Sequence, residues 1–282
     1  MTWSASPVTV VLSVIRDLLA DAAAEGLIPV APAVRLRLRR NGAGAPVRPG
    51  IAVGIDQVLA VCARLPRQEA LMALVAFFTG MRWGEVCGMR GRFLHLPGAS
   101  VGGARADLAG AGWYQVDPAG GAVHEDVHAR RFFGPPKGGY GRTLDLPPFL
   151  VGLLAEHCSA IGRADLLFAN RRGQPIRHSD FLRLRRPACD GAAERLARDG
   201  RVLAAAAAPL CPGLRFHDLR HSHKTLLTEL AVPEVLQDER LGHHPPGMRT
   251  VYAHATDAMR TAMLEGLEHT WQHTRPQLHT GP

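Results

Sequence analysis

Apolar positions recur at helical spacing along most of the chain, and glycine, proline or a polar break bounds each run. Val8, Val11, Leu12, Ile15 and Leu19 fall on one face of a helix over residues 8–24. Gly26 and Pro29 end it. Residues 55–65 predict a second helix. Residues 67–78 predict a third, with Leu71, Leu74, Val75 and Phe78 as its buried stripe. Thr79-Gly80 breaks that helix, and another starts near Gly84. The period then changes. Residues 112–116, 122–133 and 141–147 alternate or carry aromatic and β-branched side chains, as strands do. Residues 134–141, GPPKGGYG, form the turn between the last two. Helices resume at 148–160 and 179–198, followed by an alanine-rich loop at 203–209. Two more are predicted at 218–231 and 233–241, the second with proline in its first turn, and a final one at 257–271. No internal repeat is visible. The pattern predicts a mainly α protein with one small three-stranded antiparallel sheet.

Composition divides the chain. Residues 29–50, PVAPAVRLRLRRNGAGAPVRPG, are rich in proline, glycine and arginine and read as an extended basic linker. A linker lying along a phosphate backbone is the functional reading; a merely solvated connector is the plain one. The first helix has an apolar face that needs a partner, and the residues before it are too few to supply a bundle. The division expected is 1–30, a 31–50 linker, and a main domain over 51–282.

Charge narrows the partner. The formal net charge is +8 and the isoelectric point about 9.9, which points to a polyanion. Only Lys137 and Lys224 of the 33 basic residues are lysine. High arginine beside abundant alanine, glycine and proline is also what a GC-rich genome produces, so charge alone is moderate support. The five cysteines (Cys62, Cys87, Cys158, Cys189, Cys211) are odd in number and never spaced C-x-x-C. That argues against a disulfide framework or thiolate metal site, and for a reducing cytoplasm. The early apolar run at 8–15 is broken by Arg16 and Asp17 and has no basic residue before it, unlike a signal peptide or membrane span.

One stretch, LRFHDLRHSHKTLLTELAVPEVLQDERLGHHPPGMRTVYAH at 214–254, gathers chemistry. His217 and Arg220 are one helical turn apart, His243 follows a Leu-Gly step, and Tyr252 comes nine residues later. With Arg82 at the Thr79-Gly80 break, these groups suit attack on a phosphodiester. Such attack adds negative charge to the non-bridging oxygens. Arginine is permanently charged and matches two of them with parallel donors. Preorganised donors of this kind contribute roughly 3–4 kcal/mol each. A tyrosine of pKa near 10 is about one part in a thousand ionised at pH 7, so Tyr252 needs a proton path. His217 or the clamped phosphate environment can supply it. The leaving sugar hydroxyl needs a proton, which a lysine gives and an arginine effectively does not. Lys137, in the glycine-rich turn, suits that task.

Taken singly, each residue has a duller reading. Arg82 alone is a helix-end ion pair, His217 and Arg220 a surface pair, His243 a helix cap, Tyr252 packing, and Lys137 a solvated turn lysine. His217 and His221, four apart, have the spacing of a zinc pair. HEDVH at 124–128 matches the H-E-x-x-H peptidase signature. That chemistry needs a helix, whereas the flanking glycines and prolines suit a strand.

The motifs in their order carry a resemblance. TGMRWGEVCGMR, HDLRH and LGHHPPGMRTVYAH are similar to the first-arginine, H-x-x-R and LGH-to-tyrosine motifs of the tyrosine recombinase (phage integrase) family. The resemblance spans about residues 51–275. It implies that family's catalytic-domain fold, with Arg82, Lys137, His217, Arg220, His243 and Tyr252 as catalytic residues and Glu85 as acidic support. It implies a site-specific recombinase or integrase of a phage or other mobile element, cleaving and rejoining DNA through a 3′-phosphotyrosyl link. Double-stranded DNA attachment sites would be the partner, with a homo-tetramer assembled on them in a bacterial cytoplasm. It calls for no cofactor, metal or membrane. Two departures stand out. Residues 1–30 match only the last part of the family's helical core-binding domain, which opens a second reading as a truncated, catalytically idle DNA-binding remnant. Two prolines also follow His244, where small polar residues are usual.

Overall fold

The computed structural model describes residues 5–31, 50–97, 112–126, 128, 130–162, 165–197, 199, 201–243 and 254–274. The chain separates into two compact units, Met1–Gly50 and Ile51–Pro282. The first contains one described helix, α1 (Ala5–Ala24), stopped by Gly26 in the left-handed conformation.

The second unit is built around α3 (Arg67–Thr79). Every residue from Leu71 to Thr79 is buried, so this helix is apolar all round rather than striped. Helices α2 (Ile55–Cys62) and α7 (Phe216–Glu229) pack against it. Gly80 caps α3 with φ +68°, a conformation that costs other residues about 1–2 kcal/mol. A side chain there would also collide with Leu241 and His223, at 2.6 and 2.8 Å. The chain therefore turns sharply into the short helix α4 (Trp83–Cys87). Trp83 wedges α4 between α7 and α6 (His178–Asp190), its ring 5.0 Å from both Phe216 and Phe181.

The three-stranded antiparallel sheet runs in the order β1 (Leu94–His95), β2 (Gly112–Val116), β5 (Arg142–Leu146). Tyr114 lies opposite Leu94 and Leu144, and Val116 opposite Arg142. Its membership differs from the sequence reading. Residues 122–133 do not form one strand of it. They fold back as a separate hairpin, β3 (Ala122–Glu125) with β4 (Arg131–Gly134). Asp126 closes that hairpin: its carboxylate accepts the N–H groups of His128 and Arg130, both at 2.8 Å, and pairs with the Arg130 side chain at 2.9 Å. The hairpin packs on α4 so tightly that a Cβ on Gly84 would sit 2.5 Å from the Val123 carbonyl.

After α5 (Pro148–Ile161), α6 ends at Asp190, eight residues short of the expected 198. Gly191, at φ +81°, redirects the chain into a small hairpin, β6 (Arg195–Leu196) with β7 (Val202–Ala204), where a helix end and a loop were expected. Two further described helices follow, α8 (Glu234–Leu241) and α9 (Asp257–Thr274). The last packs on α2, α5 and β5 of its own chain, with Trp271 stacked on Phe149 at 4.4 Å. No described helix is long and apolar enough to cross a membrane.

Candidate functional site

Arg82 is the N-cap of α4. Its backbone N–H donates to Glu85 Oε2 at 2.8 Å, and its guanidinium pairs with Oε1 at 3.1 Å. Glu85 is buried, its side chain 1% exposed, while that of Arg82 is 22% exposed. Burial alone would raise the Glu85 pKa, but hydrogen bonds and charge from Arg142 and Arg82 outweigh it and hold it below the ordinary value. The stronger partner is Arg142, at the start of β5. It grips both carboxylate oxygens, at 3.0 and 2.7 Å, in the two-pronged geometry that suits arginine.

Arg220 approaches from α7. Its guanidinium donates to the carbonyls of Gly80 at 2.6 Å and Leu241 at 2.5 Å, and to His243 Nε2 at 3.0 Å. It is buried and touches no carboxylate among the described residues. Burial, then the like charges of Arg82 and Arg142, pull its pKa down to about 9, against a small opposing pull from Glu85. It is still cationic at neutral pH. Three guanidinium groups thus surround one carboxylate. Counted over the described residues, the cluster has about two more positive charges than negative, which favours an anion.

Both neighbouring histidines are held neutral. Burial, then Arg220, lower the His243 pKa, although Asp238 opposes them through Nδ1 at 3.4 Å. Nε2 accepts the Arg220 bond, so the proton sits on Nδ1. His217 lies exposed on the first turn of α7, its ring edge-on to His221 at 4.8 Å. Burial, then His221 and Arg220, lower its pKa.

Lys137 lies on the turn that precedes β5. It occupies the second position of a tight turn closed by the Gly139 N–H on the Pro136 carbonyl at 2.8 Å, with Gly138 at φ +98°. Its side chain is exposed. Arg142 follows five positions later, a reach of at most about 18 Å. Tyr252 lies outside the described residues, which resume at His254. Arg82, Glu85, Arg220 and His243 are thus brought together, with His217 at their edge.

The sequence reading missed Arg142, His223 and Arg240. Arg142 looked like the polar start of a strand; the only signal was the need of a buried Glu85 for a second cation. His223 is fully buried under Gly80 and accepts a hydrogen bond from Arg240 Nε at 3.1 Å. Arg240 also donates to the carbonyls of Asp145 and Phe78, each at 2.8 Å. The HEDVH segment is not helical: His124 is on β3, bonded to the Pro135 carbonyl at 2.8 Å, and His128 is in the hairpin turn. Two histidines placed so do not share a helix face.

No protein-family model and no curated protein sequence matches the chain. Solved structures do. The chain is similar to the Tn1549 transposon integrase in complex with a circular-intermediate DNA, at 16% identity and a TM-score of 0.58, covering 94% of this chain and 80% of that one. A second complex of that integrase matches at 16% identity and a TM-score of 0.51, covering 78% and 67%. A lambda integrase dimer bound to a core site matches at 18% identity and a TM-score of 0.43, covering 87% and 74%. The first two show the fold: the tyrosine-recombinase fold, mainly helical with a small antiparallel sheet, as the motifs implied.

Proposed function

We propose that this chain is a site-specific recombinase or integrase that cleaves and rejoins double-stranded DNA through a 3′-phosphotyrosyl bond at Tyr252. The observation that carries the reading is the excess positive charge around Glu85. A phosphodiester brings one negative charge, and attack on it develops a second. Arg82, Arg142 and Arg220 against one carboxylate supply two positive charges to meet them, preorganised by bonds to Gly80, Leu241 and Glu85. Arg82 and Arg220 hold the non-bridging oxygens. His243 sets the Arg220 fork. Neutral His217, beside the anion, takes the phenol proton. Lys137, carried on its exposed turn, gives a proton to the leaving 5′-oxygen. The phosphotyrosyl bond conserves the energy of the backbone, so rejoining needs no ATP, metal or other cofactor.

The other parts of the reading follow. Residues 51–282 are the catalytic domain, 31–50 a basic linker along the duplex, and 1–30 part of a helical core-binding domain. The enzyme works as a tetramer on two attachment sites of a mobile element, in a bacterial cytoplasm.

The test is incubation with a library of nicked duplexes, resolved on a denaturing gel. A covalent adduct that survives EDTA and is absent in Tyr252→Phe supports the reading. Salt-sensitive binding with no adduct overturns it in favour of an idle DNA-binding protein. Lys137→Arg should slow cleavage of an ordinary strand, and far less so when sulfur replaces the leaving oxygen; equal losses on both would remove Lys137 from the acid role.

A further inference from the structure

We propose that Arg142 is a positioning residue of this site: it fixes Arg82 through Glu85 and locks that pair to the segment carrying His243. The inference rests on the recombinase reading for its substrate, but its geometry stands alone. Arg142 belongs to β5, whereas Glu85 is on α4 and His243 just past α8. Its two terminal nitrogens take both oxygens of Glu85, and its Nε donates to the Arg240 carbonyl at 2.8 Å. The Arg142 side chain is 5% exposed, so these three bonds form away from competing water. Gly242, two residues on from Arg240, is pressed against it: a Cβ there would stand 3.3 Å from Arg142 Cδ and Nη1. Gly242 also takes φ +64° as the C-cap of α8. Glycine thus suits the point where the arginine crosses, by its positive φ and by the close approach.

The consequence is mechanical. Glu85 presents one oxygen to the Arg82 guanidinium and the other to the Arg82 N–H. Both oxygens are already held by Arg142, so the carboxylate cannot rotate. Arg82 is therefore held, through its N–H and Nη1, by a carboxylate that is itself fixed. On the far side, the Arg240 carbonyl that Arg142 binds immediately precedes Leu241, whose carbonyl holds Arg220. One side chain ties together the supports of both phosphate-facing arginines. A lysine at 142 would keep the charge but could not engage both oxygens and a carbonyl in one plane.

The experiment compares wild type with Arg142→Lys, Arg142→Met and Arg82→Met, read three ways. Inorganic sulfate is the probe of the anion site, through its stabilisation against thermal unfolding. Nicked duplexes report binding and single-turnover cleavage. Arg142→Lys should fold, bind duplex within about threefold of wild type, and cleave about 100-fold more slowly, the scale of loss expected from a misplaced group. Adding Arg82→Met should cost little more, because Arg82 is already displaced. Sulfate stabilisation should fall alike in Arg82→Met and in both Arg142 variants. Cleavage by Arg142→Lys within about threefold of wild type, or full losses that multiply in the double variant, would overturn the proposal while leaving the recombinase reading intact. If wild type makes no adduct with any duplex, that reading fails, and sulfate decides the role of Arg142. Protection lost in both Arg142 variants supports it; protection kept in either overturns it.

Discussion

Two arginine clusters lie back to back in the second unit, joined where Arg142 bonds the Arg240 carbonyl. Among the described residues, the outer one sets Arg82, Arg142 and Arg220 against Glu85 alone. The inner one sets Arg240 and Arg260 against Asp145 and Glu239. Arg260 pairs with Glu239 at 2.6 Å and with Asp145 at 3.3 Å. Burial works against the charge of Arg260, yet those two acids outweigh it and raise its pKa. Arg220 shows the reverse, with burial and like charge acting together. Proximity to buried arginine is thus no sign of function by itself. Among the described residues the inner cluster is balanced, and its bonds run to β5, α3, α7, α8 and α9. Among the described residues the outer one is left with charge that no carboxylate balances, and the proposed site rests on that remainder.

The sharpest way to break the comparison is to empty the inner cluster. Arg240→Met leaves two buried carbonyls and His223 without their donor, and Asp145 and Glu239 with one cation fewer. A loss of about 3–5 kcal/mol is expected, read as a fall in the urea midpoint at constant slope. A loss under about 1 kcal/mol would show that the inner cluster is no scaffold.

The matching change in the outer cluster should move function rather than folding. Arg220→Met removes a cation that repels Arg82 and Arg142 but orphans the Gly80 and Leu241 carbonyls, and these effects oppose each other. Stability should change by less than about 2 kcal/mol. Adduct formation on nicked duplex should fall about 100- to 1000-fold, the usual cost of one preorganised donor to a developing oxyanion. Equal damage to folding in both variants would erase the distinction.

The sequence revealed the outer cluster far better than the inner one, for a physical reason. Arg82, Glu85, His217, Arg220 and His243 sit in short motifs because each is placed by local structure: an N-cap, one helical turn, a left-handed glycine step. Arg142 and Arg240 act across 57 and 95 positions, reaching Glu85 and Asp145, and no local pattern announces such pairs. The helices were legible from their period. The β3–β4 hairpin was not, because Asp126 makes its turn with side-chain bonds inside a run that otherwise alternates. The β6–β7 hairpin was hidden by residues at 191–198 that read as the end of a helix.

Acid should sharpen the contrast next. His223 is held neutral by burial, then by Arg240 and Arg220, with its pKa well below 6.5. In the unfolded chain it takes a proton near 6.5; in the folded chain it does not. Its contribution to stability is therefore complete above about pH 6.5 and is lost as pH falls below it, by up to about 1.4 kcal/mol per pH unit. His217 and His243 are shifted in the same direction and add to the slope. His223→Gln should make stability measurably less steep in pH between about 6.5 and 5, with urea titrations as the check. An unchanged slope would mean that His223 is already charged in the fold.

The smallest expected effect is the most direct reading of the leftover charge. An anion that binds only the folded protein stabilises it by about 1.4 kcal/mol at ten times its dissociation constant. For a chain of this size that raises the unfolding temperature by roughly 2–4 °C per kcal/mol. Sodium sulfate should give such a shift beyond that of sodium chloride at equal ionic strength. Arg82→Met should lose it, since Arg82 is the most exposed of the three guanidinium groups and leads the anion in. Arg260→Met should keep it despite a lower starting stability, because the cation it removes is already matched by Glu239 and Asp145. If sulfate protects the Arg82 variant as well as wild type, the anion is being held by charges elsewhere on a strongly basic surface. The excess around Glu85 would then be a feature of the fold alone.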